Sequence, residues 1–503
     1  MTKKIFMKMA TAAVLFLIIL AGLTKVFNPK WNYYGNQAQT RLQAFYRQEK
    51  NSDDVLYTGS SFAYCGISPL SIYEKYGITG YVFSNPSQKT YMSYYYLREA
   101  LKYQSPKVVV YEVGTVDDDD FANEGYHRKN LDYMRWSPVK WEAVRFILDN
   151  CPDENLKDYL FPFLRYHTRW DDLQKGDFNV FYDKDYYLMG TALKLTTQPA
   201  KSKAIRKYQA WTPRGKESSM GELCKEYVLK MKQLCDEKGI AFLMLRVPSM
   251  EWSPELSSSV QDFADANGID YLDMNLHQEE LNIDWTTDSH DKGTHVNLRG
   301  CLKISDYLGS YLTSRYSFDT SLSVQTREFW DASAARYHLL ADSFLLPIQQ
   351  ELSSYLQMLS NENYIAAIAV NGNTGAYLTE AQLQSFAELG LTIPAPGSET
   401  AYYAILDGGA VVTQASASGR IVSGPYTSHG AVFTVSSADA SADAAASIVI
   451  NEGEYAIDQP GFNIVVFDKT LQRVVDSVCF ATNMEGIPSV HTEYTLLEDD
   501  GGE

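Results

Sequence analysis

The chain has 503 residues, 45 % of them hydrophobic, enough to bury more than one core, so two domains plus connections are the natural expectation. Lys and Arg number 44 against 62 Asp and Glu, a net charge of −18. That balance excludes a nucleic-acid-binding surface, whose phosphates need a basic face, and disfavours polyanions in general unless a local basic groove compensates.

Lys3, Lys4 and Lys8 precede an uncharged run from Met9 to Thr24, followed by Lys25-Val26-Phe27. A basic flank stays in the cytoplasm while the chain beyond is exported. No A-x-A-like site and no lipobox cysteine follows the run, so an uncleaved signal anchor is expected over residues 1–28 in preference to a cleaved signal peptide. Lys25 can snorkel, extending the span to Phe27. The expected location is the cell membrane, single-pass, with the N-terminus cytoplasmic and the bulk of the chain extracytoplasmic.

Val55 to Thr58 reads as a short strand ending in Gly59-Ser60-Ser61-Phe62. Glycine then serine at the carboxyl end of a strand is where an α/β sheet presents a nucleophile, although serines there also serve as helix caps. A Tyr-rich helix over Tyr91–Tyr103 leads into Lys107–Val113, whose β-branched run predicts a buried parallel strand. Gly114-Thr115-Val116-Asp117 closes it, and Asp117–Asp120 reads as a solvated loop. Residues from about 121 to 211, rich in aromatics, are expected to form an insertion shaping a cleft. A helix over Met220–Glu237, a strand over Ile240–Leu245, a helix near Ser257–Ala266 and a strand over Ile269–Leu272 complete the alternation. Such alternation predicts a doubly wound, flavodoxin-like parallel sheet with helices on both faces.

The stretch Asp284–Leu312 organises the rest. Its polar loop holds His290 and His295 with Asp288 and Asp291 beside them, and Asn297 caps a helix in which Cys301, Ile304, Leu308 and Tyr311 recur at helical spacing. A loop histidine ahead of an amphipathic helix suits a general base, and an upstream acid can orient its ring. An ordinary surface histidine in a solvated loop fits the same residues. Six scattered cysteines show no paired spacing. Cys224 and Cys235 fall about 16 Å apart along one predicted helix, too far to bridge, so neither a disulfide framework nor a zinc site is expected.

The order Ser61…Asp291…His295 resembles the SGNH (GDSL) hydrolase superfamily over roughly residues 50–315, more narrowly its exported, membrane-anchored DltD-like branch. Gly59-Ser60-Ser61 stands where the family has Gly-Asp-Ser. The resemblance therefore implies Ser61 as nucleophile, Gly59 and Ser60 as its turn, and His295 in His295-Val296-Asn297-Leu298-Arg299-Gly300 as general base. The family's acid lies three residues before the histidine, where this chain has Lys292. Asp291, four before, is the preferred orienting acid, with Asp288 in reserve. The family's Gly-x-Asn-Asp block survives only as Gly114–Asp117, with Val116 replacing the asparagine that would donate to the oxyanion. Besides the Ser61 backbone, Asn85 and Gln88 are the nearest side chains available for that task, and both also suit a polar loop satisfied by backbone. No cofactor and no metal is implied.

After a helical connector over 316–360, residues 361–503 become Ser/Ala-rich with strand-like runs. Tyr364–Val370, Gly461–Asp468 and Val474–Phe480 resemble the interleukin-like EMT inducer (GG) domain, which implies a β-rich α+β accessory domain that binds carbohydrate without catalytic groups. Ala438–Ala446 reads as a low-complexity loop. Within this frame, 29–315 is the expected SGNH-like domain. The expected activity is that of a serine acyltransferase or carboxylic ester hydrolase on a cell-envelope glycan, an exopolysaccharide or a teichoic-acid-like polymer. The family context implies a membrane-bound O-acyltransferase as partner. The alternative is a catalytically inactive SGNH-fold scaffold that binds glycan or an export complex.

Overall fold

The computed structural model describes residues 3–29, 38–178, 187–212, 219–318 and 322–492. Residues 1–2 of the expected anchor, 30–37, 179–186 and 213–218 of the expected SGNH-like domain and its flanks, 319–321 of the connector and 493–503 of the tail lie outside the described residues. The chain divides into two compact units, Met1–Ala334 and Ala335–Glu503.

In the first unit, five parallel strands form one sheet: β1 (Val55–Thr58), β2 (Gly80–Val82), β3 (Val108–Glu112), β4 (Ala241–Arg246) and β5 (Asp270–Asp273), in the order β2-β1-β3-β4-β5. β1 and β3 are buried at every position, as near-continuous apolar runs in a two-sided parallel sheet must be. Register pairs Val55 with Val108 and Thr58 with Tyr111, so β1 and β3 end level with each other. This strand order reverses direction between β1 and β3, and the crevice outside their carboxyl ends is where doubly wound sheets place ligands. Helices flank the sheet: Pro69–Tyr76 packs on Leu298–Arg315, and Thr90–Ala100 on Glu222–Lys238.

The acidic stretch after β3 is more than a solvated loop. Asp119 accepts hydrogen bonds from the amides of Leu223 and Cys224, the opening turn of the helix Glu222–Lys238. Carboxylates are favoured there because those amides have no intrahelical acceptor. Partial burial works to raise the Asp119 carboxyl, but the amides outweigh it and hold it below its usual value. The N-terminal helix runs from Lys3 to Phe27, and its segment Met7–Phe27 has a mean hydropathy of 2.2 with none of it buried. At 1.5 Å per residue those 21 residues extend about 31 Å, close to the hydrocarbon thickness of a bilayer.

The second unit is a mixed, largely antiparallel ten-stranded sheet. Its centre, Tyr364–Asn371, is buried throughout and has three partners: Gly461–Asp468 on one side, Ala401–Asp407 on the other, and a single parallel contact from Ala438 to Asn371. The low-complexity stretch Ala438–Ala446 is, as expected, mostly a loop: Ala438, Ala445 and Ala446 close the ladder of a hairpin, and residues 439–444 connect its strands through a short turn at Ala440–Ala442. Small residues there suit close hairpin packing.

Candidate active site

β1 ends at Thr58, and Gly59 adopts φ of +147°, a region that side chains disfavour. A Cβ at Gly59 would also come within 2.9 Å of both the Cβ and the carbonyl oxygen of Glu112 at the end of β3. Only glycine lets the chain turn so close to the neighbouring strand. The turn delivers Ser61 as the first residue of the helix Ser61–Gly66, half-buried. Its amide belongs to the first turn, where no intrahelical acceptor reaches. Neither hydroxyl is spent on capping: Ser60 makes no side-chain cap bond, and its buried Oγ has no hydrogen-bond partner.

Opposite Ser61, the loop Asp284–Asn297 folds back through an isolated bridge between Ser289 and Val296. Lys292 and Gly293 both take positive φ, +67° and +108°. This tight turn brings Asp291 back over His295, so that one carboxylate oxygen accepts from the His295 amide and the other meets Nδ1, each at 2.6 Å. The extra residue relative to a three-residue spacing is therefore absorbed by left-handed backbone. A side chain at position 293 would press on Met250, whose amide donates to the Gly293 carbonyl, so the loop after β4 carries this turn. Asn297 fastens the other end: its Oδ1 accepts from the Arg299 and Gly300 amides of the helix Leu298–Arg315, and its Nδ2 donates to the Thr287 carbonyl.

Nε2 of His295 lies 2.8 Å from Oγ of Ser61. Burial works to raise the Asp291 carboxyl, but its hydrogen bonds and charge interaction with His295 outweigh this and hold it below the usual range. An ionised Asp291 can only accept, so Nδ1 carries the proton, Nε2 presents its lone pair, and Ser61 Oγ donates to it. The result is a continuous hydroxyl–imidazole–carboxylate chain at the carboxyl end of β1. The imidazole side chain is 19 % exposed and the carboxylate 34 %, so solvent and a ligand can reach the site.

A layered support that the sequence reading missed lies behind the imidazole. Phe62 stacks on His295 with ring centroids 4.6 Å apart at 27°. The Arg246 guanidinium sits 4.1 Å from the Phe62 ring and is paired to Glu112 at 2.6 Å, both side chains essentially unexposed. Glu112 also accepts from the Gly114 amide. Burial pushes the Glu112 carboxyl up against the pull of Arg246. Such a pair contributes little net stability but fixes position, since breaking it strands a buried charge. The legible signal was the Phe directly after the serine together with charged residues closing two apolar strands.

The remaining site residues read from the sequence lie elsewhere. Asp288 is buried and paired to Lys303 at 2.7 Å, while also accepting from the Asp284 amide and the Thr287 hydroxyl. It anchors the loop and does not meet His295. His290 Nδ1 meets the Thr196 hydroxyl at 2.6 Å. Asn85 is fully buried, donating to Tyr96 and accepting from Arg41. Gln88, equally buried, spends its amide hydrogens on Thr58 and Ser93. Neither offers a donor to Ser61, because each is consumed in holding the loop after β2. Val116 is buried in the core. One grouping of metal-type donors, His127, Cys151 and Glu154, occurs among the described residues. Both its imidazole nitrogens are already occupied, by Glu154 at 2.6 Å and by the Tyr91 hydroxyl at 2.9 Å.

No protein-family profile and no curated protein sequence matches the chain. Among solved structures it is similar to a candidate acylhydrolase from Bacteroides fragilis, at 11 % identity and a TM-score of 0.27, covering 56 % of this chain and 98 % of the other. A GDSL-like lipase from Bacteroides thetaiotaomicron aligns at 11 % identity and a TM-score of 0.28, covering 56 % and 100 %. Likeness at such scores decides nothing about activity.

Proposed function

We propose that this protein is a membrane-anchored serine acyl hydrolase or O-acyltransferase of the SGNH type that acts on a cell-envelope glycan or exopolysaccharide. The observation that carries the reading is the Ser61–His295–Asp291 chain, with successive contacts of 2.8 and 2.6 Å at the carboxyl end of β1. In the reaction, His295 Nε2 takes the Ser61 hydroxyl proton as Oγ attacks the acyl carbonyl carbon. Asp291 holds the ring and stabilises the imidazolium. The tetrahedral oxyanion is met by the Ser61 amide. His295 then protonates the departing oxygen, leaving an acyl ester on Ser61, and next deprotonates water or a glycan hydroxyl that attacks this ester and releases the enzyme. The acyl donor fits a membrane-bound O-acyltransferase partner, and the net charge of −18 favours a neutral or weakly charged acceptor over a teichoic acid. The N-terminal helix serves as the anchor, with its basic end in the cytoplasm. The second unit contributes affinity for glycan.

The test is labelling of the full-length protein by a fluorophosphonate, together with hydrolysis of a short-chain nitrophenyl ester. Labelling at Ser61 and its loss in Ser61→Ala are expected; a wild-type protein inert to both probes overturns the enzyme. A second reading, a glycan-binding scaffold without turnover, draws on one specific observation. The polar side chains that the sequence offers for an oxyanion, Asn85 and Gln88, are spent elsewhere, and such a donor is worth about 10²–10³ in rate. That reading requires no labelling in the wild type.

A further inference from the structure

The end of the N-terminal helix is not loosely tethered to the unit it precedes. The Phe27 ring meets Phe163 edge-on at 5.2 Å, and the Phe27 carbonyl accepts from Arg169 at 2.5 Å. Two residues on, the Pro29 carbonyl accepts from the Tyr133 hydroxyl at 2.6 Å. Asn28 between them is buried. Phe163 and Arg169 belong to consecutive short turns, Leu156–Leu160, Pro162–Tyr166 and His167–Asp171, with Lys175–Phe178 following. The same turns present large apolar side chains outward: Trp170 is 71 % exposed, Phe178 61 %, Leu164 47 %, Phe161 44 % and Leu160 41 %. Trp136, three residues beyond Tyr133, is 46 % exposed. Scattered exposed apolar residues need no explanation, but a cluster of this kind marks an interaction surface.

What covers it follows from the helix. If Met7–Phe27 spans a bilayer, its carboxyl end emerges at one membrane face, and the residues clamped to Phe27 and Pro29 must sit at that face too. Tryptophan and other aromatic residues are the side chains favoured at this depth, where an apolar body meets a wet headgroup layer. We propose that the turns 156–178, with Trp136, form a collar that inserts into the outer leaflet around the exit of the N-terminal helix and fixes the height and tilt of the first unit over the lipid. The occupant of this surface is the bilayer. The inference rests on the anchor reading given above and adds a second, independent contact with the membrane.

The test uses the full chain in phosphatidylcholine–phosphatidylglycerol vesicles, with a nitroxide on a cysteine placed by Trp170→Cys, by Leu164→Cys, or by Ser310→Cys on the exposed side of the helix Leu298–Arg315. Native cysteines are buried or half-buried, and wild-type protein treated with the label supplies the background. Retention on the vesicles after an alkaline wash reports the anchor alone. With the anchor retained, nitroxides at 170 and 164 should collide more with oxygen than with a water-soluble nickel chelate, and the ratio should reverse at 310. Phe178→Cys repeats the measurement should either substitution impair folding. Retention with labels at 170, 164 and 178 as open to nickel as 310 overturns the collar and leaves the anchor standing. Release of the protein by the wash overturns both.

Discussion

Two places in the first unit hold the same trio of groups. At one, Asp291, His295 and the Ser61 hydroxyl are linked at 2.6 and 2.8 Å; at the other, Glu154, His127 and the Tyr91 hydroxyl are linked at 2.6 and 2.9 Å. Distance alone does not separate them. Exposure does: the imidazole and carboxylate side chains are 19 % and 34 % exposed in the first and 2 % and 7 % in the second. The hydroxyls differ as well. Burial pushes the Tyr91 phenol well above its usual value and the ring is packed among Phe121, Phe146 and Tyr227, whereas Ser61 opens a helix at the carboxyl end of a parallel strand. Glu154 is further committed to the Tyr159 hydroxyl. A hydrogen-bonded chain becomes a site for chemistry only where a substrate can reach its end and an amide can meet the developing charge. The second trio is a core network that ties the helix Glu124–Leu131 to the turn that follows the helix Pro138–Asn150.

That contrast can be broken most sharply at its centre. Ser61→Ala and His295→Ala should each lower ester turnover by roughly 10⁶-fold and abolish fluorophosphonate labelling, with the melting temperature nearly unchanged in Ser61→Ala because that side chain is only half-buried. Asp291→Asn should cost less, roughly 10⁴-fold in kcat, since the base remains but its tautomer is lost.

The same substitution has a pH signature. The Asp291 carboxyl lies below its ordinary value in the folded state, so its contribution to stability is complete above the unfolded pKa of about 4 and is lost as pH falls through the lower folded value. Melting curves of wild type and Asp291→Asn should therefore differ at pH 6 and draw together as the pH is taken progressively below about 4. A constant gap would show that Asp291 is not ionised in the folded protein.

A smaller effect is expected from Phe62→Leu, which removes the stacking surface under the imidazole. Roughly a tenfold fall in kcat with KM nearly unchanged would mark a positioning role; an equal change in KM would place Phe62 against substrate. At the far end of the scale, His127→Ala should leave kcat and labelling at wild-type values while destabilising the unit by about 3 kcal/mol in denaturant titration, because the buried Glu154 loses its partner. Lost activity in a folded His127→Ala protein would dissolve the distinction between the two trios.

Much of this architecture was written locally. Strands β1, β3 and β4 follow from apolar runs, β5 from its place after a helix in the strand–helix alternation, and Asn297 with Cys301, Ile304 and Leu308 announces the last helix of the site by cap and period; Tyr311 alone of that series is only partly buried, its place in the core taken by Leu312. β2 was silent, being an edge strand of three residues defined by its pairing with β1 and not by its own composition. Ser61 and His295 were legible because each sits at a boundary between element types that sequence pattern reveals. Asp291 could be ranked over Asp288 by spacing, but only the fold separates them: left-handed backbone at Lys292 and Gly293 turns one toward His295, and Lys303, fifteen residues away on the next helix, claims the other. Asn85 and Gln88 looked available because polarity is a local property, whereas their hydrogen bonds to Tyr96, Arg41, Thr58 and Ser93 come from elsewhere in the unit. The sequence by itself determined the element types and the chemistry at their ends, through periodicity and capping. Which polar groups remain free to act was decided by tertiary contacts alone, because a hydrogen-bond donor is spent by whatever the fold sets beside it.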